Sequence, residues 1–164
     1  MKTRIIVNPM ANKGSCGKRW PQIRAELEKH LGPIDDGDIA MTRAPNHATK
    51  LAQEAVDAGY RRLVSVGGDG TFSEMMNGVI SDDRPIAPDL VLAQLPGGTS
   101  NELSRSFGQL SFGAASKAIA MGHTRDIDVF RADAKGYAGD QVTRYGFVLA
   151  IVGANMANAI RSRT

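Results

Sequence analysis

Gly67-Gly68-Asp69-Gly70-Thr71 places three glycines, a carboxylate and a hydroxyl within one turn of chain. A polyphosphate needs backbone N–H groups aimed at its oxygens with no side chain in the way. The N-terminus of a helix supplies such groups together with a favourable dipole. Gly67, Gly68 and Gly70 remove the side chains. Asp69, between them, can hold a divalent cation that bridges phosphates or orient an attacking hydroxyl, and Thr71 can donate a hydrogen bond to a phosphate oxygen. Glu74 follows one helical turn after Thr71, on the same face. Glycine and aspartate also favour tight turns for steric reasons, so these five residues alone leave a plain turn open. They do not form a P-loop, because no lysine follows the last glycine, and they lack the spacing of the dinucleotide fingerprint.

The flanking segments decide where such a turn sits. Lys2 to Asn8 carries the β-branched run Ile5-Ile6-Val7 and stops at Asn8-Pro9, which predicts a strand buried on both faces. A loop from Ala11 to Gly17 leads to Trp20, Ile23, Leu27 and Leu31 at helical spacing, with Pro21 in the first turn and Gly32-Pro33 at the close. Asp38 to Thr42 is a short strand, and Asn46 is placed to cap a helix that runs to Gly59. Arg62 to Val66 is a third strand. The glycine turn follows at once, and then Phe72, Met75, Met76, Val79 and Ile80 repeat at helical spacing. Leu90 to Leu95 is a fourth strand, ended by Pro96-Gly97-Gly98-Thr99-Ser100-Asn101 before a short helix through Leu103 and Phe107. Strands alternating with helices predict an α/β fold, a three-layer doubly wound and mostly parallel sheet whose ligands sit beyond the carboxyl ends of the strands. Asn8, Thr42 and both glycine turns fall at those ends.

From about Asp126 the pattern changes. Ile127, Val129 and Phe130, then Tyr145, Phe147, Leu149 and Ile151, predict antiparallel strands joined by the loop Ala134 to Asp140. The expected division is residues 1–124 as one α/β domain and 125–164 as the beginning of a β domain. The formal charge of +3 comes from twenty basic and seventeen acidic residues mixed along the chain, so charge implies no nucleic-acid partner. The lone Cys16 excludes an intramolecular disulfide, and a glycine and lysine context surrounds it. No secretory leader or membrane-spanning run is visible, which predicts a cytoplasmic protein.

Gly67 to Thr71 followed by Glu74 and Asn77 resembles the GGDGT-x-x-E-x-x-N signature of the diacylglycerol kinase catalytic domain family, which includes sphingosine and ceramide kinases and bacterial lipid kinases. Three further stretches carry the resemblance. Asn8-Pro9 with Met10-Ala11-Asn12-Lys13-Gly14 is similar to the family's opening N-P-x-(S/A)-G element. Thr42 with His47-Ala48 resembles its second-strand threonine and H-A pair. Pro96 to Leu103 resembles its P-x-G-T-x-N-D-(F/L) loop, and Asp126-Ile127-Asp128 its I-D-(L/V) strand. NAD kinases share only the GGDG turn, and the loop Thr99-Ser100-Asn101 separates the two.

The resemblance implies an ATP-dependent lipid kinase that uses Mg²⁺ and transfers the γ-phosphate to a hydroxyl of diacylglycerol or a related lipid. It implies that Asn8, Thr42, Gly67, Gly68, Asp69, Gly70, Thr71, Glu74 and Thr99 contact ATP, that Asn101 supports the loop, and that Asp69 is both the metal ligand and the catalytic residue. Family members are about twice as long. Their C-terminal β-sandwich is expected to bring the lipid pocket, a structural metal site and the general base, so this chain reads as a fragment. A silent nucleotide-binding module and an NAD kinase-like enzyme are the alternatives. The lipid substrate implies transient contact with a membrane surface, and the apolar edge at Phe147 to Val152 would pair with a second copy. His47 reads as a helix-surface or packed histidine, and His123, beside Gly122, as a helix C-terminal residue.

Overall fold

The computed structural model describes residues 1–136 and 139–147. In chain order the elements are β1 (Thr3–Val7), α1 (Ser15–Leu31), β2 (Ile39–Met41), α2 (His47–Asp57), β3 (Arg62–Gly67), α3 (Asp69–Asn77) and the short strands β4 (Ile80–Ser81) and β5 (Arg84–Pro85). They continue with β6 (Val91–Pro96), α4 (Glu102–Ser106), α5 (Phe112–Met121), β7 (Phe130–Lys135) and β8 (Gln141–Gly146). The chain divides into two compact units between Asp126 and Ile127.

In the first unit four parallel strands form one sheet in the order β2-β1-β3-β6. Ile5 lies opposite Ile39 on one side and Val64 on the other, and Gly67 lies opposite Pro96. Side chains alternate across the sheet, as the pleat requires. Ile5, Val7, Val64, Val66 and Leu95 meet Cys16, Ile23 and Leu27 of α1 and Ala115 of α5. The alternate residues Ile6, Leu63, Ser65 and Gln94 are buried on the opposite face, where α2 and α3 pack together against β1 and β3. Continuous β-branched runs are thus buried on both faces, the mark of a parallel sheet with helices above and below. All four strands end on one side, so Asn8, Thr42, Gly68 and Gly97 lie along one rim.

Several local features differ from the expectation. α1 begins at Ser15, so the last residues of the predicted loop are helical and Pro21 lies in the second turn. Proline there leaves the Gly17 carbonyl without its helical donor. Asn46 occupies the cap position of α2 at φ 61, but its side chain makes no cap bond. α3 ends at Asn77, and Ile80 belongs to a small hairpin turned by Asp82 and Asp83 at φ 50 and 61, the backbone of a two-residue primed turn. α5 is capped by Ser111, whose hydroxyl accepts from Ala114 N–H at 3.1 Å.

In the second unit β7 and β8 form an antiparallel ribbon in which Phe130 lies opposite Gly146. The strand begins at Phe130, after Ile127 and Val129, and Ala134 and Lys135 extend it into the predicted loop. The Phe130 ring covers Gly146, filling the space that a side chain there would take. The expected strand residues Leu149 and Ile151, and the apolar edge beyond Phe147, lie outside the described residues.

Candidate functional site

The first glycine turn is built by close backbone approach. A Cβ on Gly67 would stand 2.6 Å from Thr71 Oγ1, and one on Gly68 would stand 3.1 Å from the Cα of Gly98. A Cβ on Gly98 would collide with the backbone of Gly68. The two glycine loops therefore touch through bare backbone, and Gly97 N–H donates to the Gly67 carbonyl at 2.9 Å. Gly68 caps α3 by accepting from Thr71 N–H at 3.0 Å and Phe72 N–H at 3.2 Å. Among the described residues, the N–H groups of Gly68, Asp69 and Gly70 have no acceptor. Gly70 is exposed in the first turn of α3. Such a row of free donors at a helix N-terminus is an anion-binding arrangement.

The start of α1, at the same rim, differs. At α1, Gly14, Ser15, Cys16, Gly17 and Lys18 N–H groups donate to the carbonyls of Met10, Asn12, Ala11, Pro9 and Gly14. Those donors are consumed by their own loop, which winds through Asn12, Lys13 and Gly14 at positive φ.

Asn8 joins the rim to the turn. Its Nδ2 donates to Thr71 Oγ1 at 3.0 Å, and its Oδ1 accepts from Met10 N–H at 3.0 Å. Thr42 is buried, and its N–H donates to the Val7 carbonyl at 2.8 Å. Glu74 turns toward α2: its Oε2 accepts from Ala48 N–H at 3.3 Å, and its carbonyl accepts from the Thr49 hydroxyl at 2.9 Å. Glu74 thus supplies the cap that Asn46 does not. His47 Nδ1 accepts from Arg43 N–H at 3.0 Å, closing the loop after β2.

Asp69 reaches across to α4. Its Oδ2 accepts from Glu102 N–H at 3.0 Å and its Oδ1 from Leu103 N–H at 3.1 Å. Asn101, at φ 51, closes the second loop on itself, accepting from Gly98 N–H at 2.9 Å and donating to the Gly98 carbonyl at 3.0 Å. Thr99 stands exposed at the loop's tip. Asn8, Thr71, Asp69, Asn101 and the glycines of both turns are therefore linked by direct contacts, while Glu74 lies against α2. Sequence reasoning missed Gly98, whose contact with Gly68 joins the loops. The available signal was a glycine pair at the end of each of two strands.

A hollow of about 220 Å³ lined by Arg19, Pro96, Leu110, Ser111 and Phe112 adjoins the second turn and contains none of the predicted site residues. Arg19 stacks on the Phe112 ring at 4.8 Å. Cys16 lies in α1 rather than in a polar loop, is 2% exposed, and its thiol faces the Val66 carbonyl at 3.8 Å. Burial pushes the thiol pKa up, and the nearby Arg19 charge offsets this only in part. A raised pKa leaves less thiolate at a given pH, and the thiolate is the nucleophile. Maleimide labelling of the folded chain at neutral pH is therefore expected to be at least about tenfold slower than in urea. Equal rates in the two conditions would show the thiol to be open.

The diacylglycerol kinase catalytic domain model matches residues 2–132. The chain belongs to that family. It is 33% identical over 132 residues to sphingosine kinase B of Dictyostelium discoideum, an alignment covering 78% of this chain and 17% of that protein. It is 28% identical over 151 residues to the diacylglycerol kinase of Staphylococcus saprophyticus, covering 89% and 47%. A diacylglycerol kinase crystal structure from Bacillus anthracis superimposes with a TM-score of 0.58 at 32% identity, covering 80% of this chain and 42% of the other. The chain spans less than half the length of these relatives. The matched residues of this kinase family's catalytic domain hold the four-stranded parallel sheet and both glycine loops. Among the described residues no helix is long and apolar enough to cross a membrane.

Proposed function

We propose that the chain binds MgATP with its polyphosphate on the free N–H groups of Gly68, Asp69 and Gly70, as the nucleotide-binding part of an enzyme that phosphorylates a lipid hydroxyl. The observation that carries this reading is Gly70. Its φ is not positive, and a Cβ built on it meets nothing within 4 Å among the described residues. Local structure gives no reason for glycine there, and alanine would favour the helix by about 0.5–1 kcal/mol. A phosphate seated on the N–H groups supplies the reason, because a methyl group would keep it away.

Thr71 follows those donors in the first turn of α3 with Asn8 orienting its hydroxyl, and in this reading Thr99 and Asn101 complete the cradle from the second loop. No cluster of three or more metal-ligating side chains occurs among the described residues. Mg²⁺ is commonly held by one or two carboxylates, substrate phosphates and water. Asp69 would hold it, each carboxylate oxygen having accepted a single N–H. When bound, the ion supplies neutralisation of phosphate charge. Met10 is 74% exposed at the rim, with Lys13, Lys18 and Arg19 exposed in the same loop and the start of α1. An apolar tip among cations suits transient contact with an anionic membrane carrying the lipid acceptor. The lipid pocket and general base belong, in this reading, to the part of the relatives beyond this chain's match.

Calorimetric titration of MgATP into the parent and a Gly70→Ala variant tests the proposal. The variant is expected to fold with equal or slightly greater stability and to bind about tenfold or more weakly, a loss of about 1.4 kcal/mol. Equal affinity in the two chains would remove the phosphate from this turn. A folded parent that binds no MgATP would sink the proposal itself.

A further inference from the structure

We infer that Asp69 is a positioning residue: its carboxylate latches α4 and the second glycine loop onto the first, independently of any metal. Both oxygens are engaged, by Glu102 N–H at 3.0 Å and Leu103 N–H at 3.1 Å, across more than thirty residues of chain. A carboxylate accepting two backbone donors at a helix start makes charge-assisted bonds, stronger than neutral ones. Little else holds α4 in place. The helix has five residues, of which Leu103 and Ser104 are buried. Its floor is polar: the Ser104 hydroxyl donates to Gln94 Oε1 at 3.0 Å, and the buried Nε2 of Gln94 has no partner among the described residues. Apolar burial of one leucine cannot by itself fix this helix over an amide and a hydroxyl.

The latch matters because α4 starts where the second loop ends. Asn101, which closes that loop on Gly98, immediately precedes Glu102, and Gly98 rests on Gly68 beside the free donors. Freeing the α4 start unseats Asn101, and Gly98 loses its register against Gly68. The aspartate thus shapes the phosphate cradle through backbone it never shares with a ligand.

The inference uses the phosphate reading above, and its test separates the two. A carboxylate beside an anion site repels the anion, so an Asp69 that served only as a metal ligand would weaken metal-free phosphate binding. Its removal would then tighten that binding. A latch gives the opposite sign. In Asp69→Asn, which keeps the side chain's size, amide exchange followed by NMR is expected to accelerate about tenfold or more at Glu102 and Leu103 and to stay unchanged at Ile5 and Val64 in the core strands. Inorganic tripolyphosphate, titrated with a chelator present, is expected to bind several-fold more weakly than to the parent. Asp69→Ala should give larger changes in the same directions.

Unchanged exchange at Glu102 and Leu103 would overturn the latch. So would acceleration spread equally through the core strands, or tighter metal-free binding. If the parent binds no tripolyphosphate, the phosphate reading falls and the exchange result alone decides the latch.

Discussion

Gly98→Ala is expected to lower affinity for MgATP by about 100-fold or more, equivalent to about 2.7 kcal/mol. The residue is buried under no apolar layer, and its backbone angle is one that alanine can adopt, so neither propensity nor hydrophobicity flags the position. The cost is one of contact. A Cβ at residue 98 would run into the Cα of Gly68 and stand 2.9 Å from its nitrogen, and it would also stand 3.0 Å from Asn101 Oδ1. Backbone cannot rotate away as a side chain can, so the two loops must separate. Separation stretches the Gly97 to Gly67 hydrogen bond of 2.9 Å and draws the α4 start away from Asp69, while the contact with Asn101 Oδ1 strains the second loop's own closure. The free N–H groups of Gly68 to Gly70 would survive as groups but lose their common aim. Overpacking of this kind costs about 1–3 kcal/mol of stability, so urea unfolding should be run beside the titration. Binding within threefold of the parent by a folded Gly98→Ala chain would show that the second loop does not shape the site.

The contrast with Gly70→Ala explains how much could be read beforehand. The alternation of β-branched runs with helical periodicity placed Asn8, Thr42, Gly68 and Gly97 at the ends of parallel strands, and the sheet brings those ends to one rim. That pattern is local and repeats, so it survives in the sequence. The partners of Asp69 and Glu74 were not legible. Asp69 accepts from backbone thirty-three and thirty-four residues later, and Glu74 from backbone twenty-six residues earlier. A backbone N–H carries no residue identity, so no motif can announce it. For the same reason Asn46 read as the cap of α2, whereas Glu74 arrives from α3 to do that work. The start of α1 at Ser15 was hidden because its first donors are satisfied by the winding of the preceding loop rather than by a capping side chain. Ile80 read as helical because its apolar spacing continues past Gly78, while the Asp82-Asp83 turn draws it into the hairpin.

Gly78→Ala is expected to destabilise the chain by about 2 kcal/mol, with a fall in melting temperature on the order of 4–8 °C for a chain of this size. Helix propensity alone gives the opposite sign. Gly78 ends α3 at φ −79 and ψ −12, a right-handed conformation that alanine adopts freely and that propensity would reward by about 1 kcal/mol. The neighbour reverses the balance. A Cβ there would overlap the Thr49 carbonyl oxygen, backbone of the first turn of α2. That contact lies beside the bonds from Ala48 N–H and the Thr49 hydroxyl to Glu74, so α2 cannot withdraw without breaking both. The strain falls on the α2–α3 crossing, on the sheet face away from α1 and Cys16, and leaves the Gly68 to Gly98 contact in place. MgATP affinity measured well below the melting temperature should therefore change by less than about threefold, a small difference in free energy. Thermal unfolding followed by circular dichroism decides the sign: a raised melting temperature would mean that the two helices do not approach as closely as Thr49 and Gly78 require.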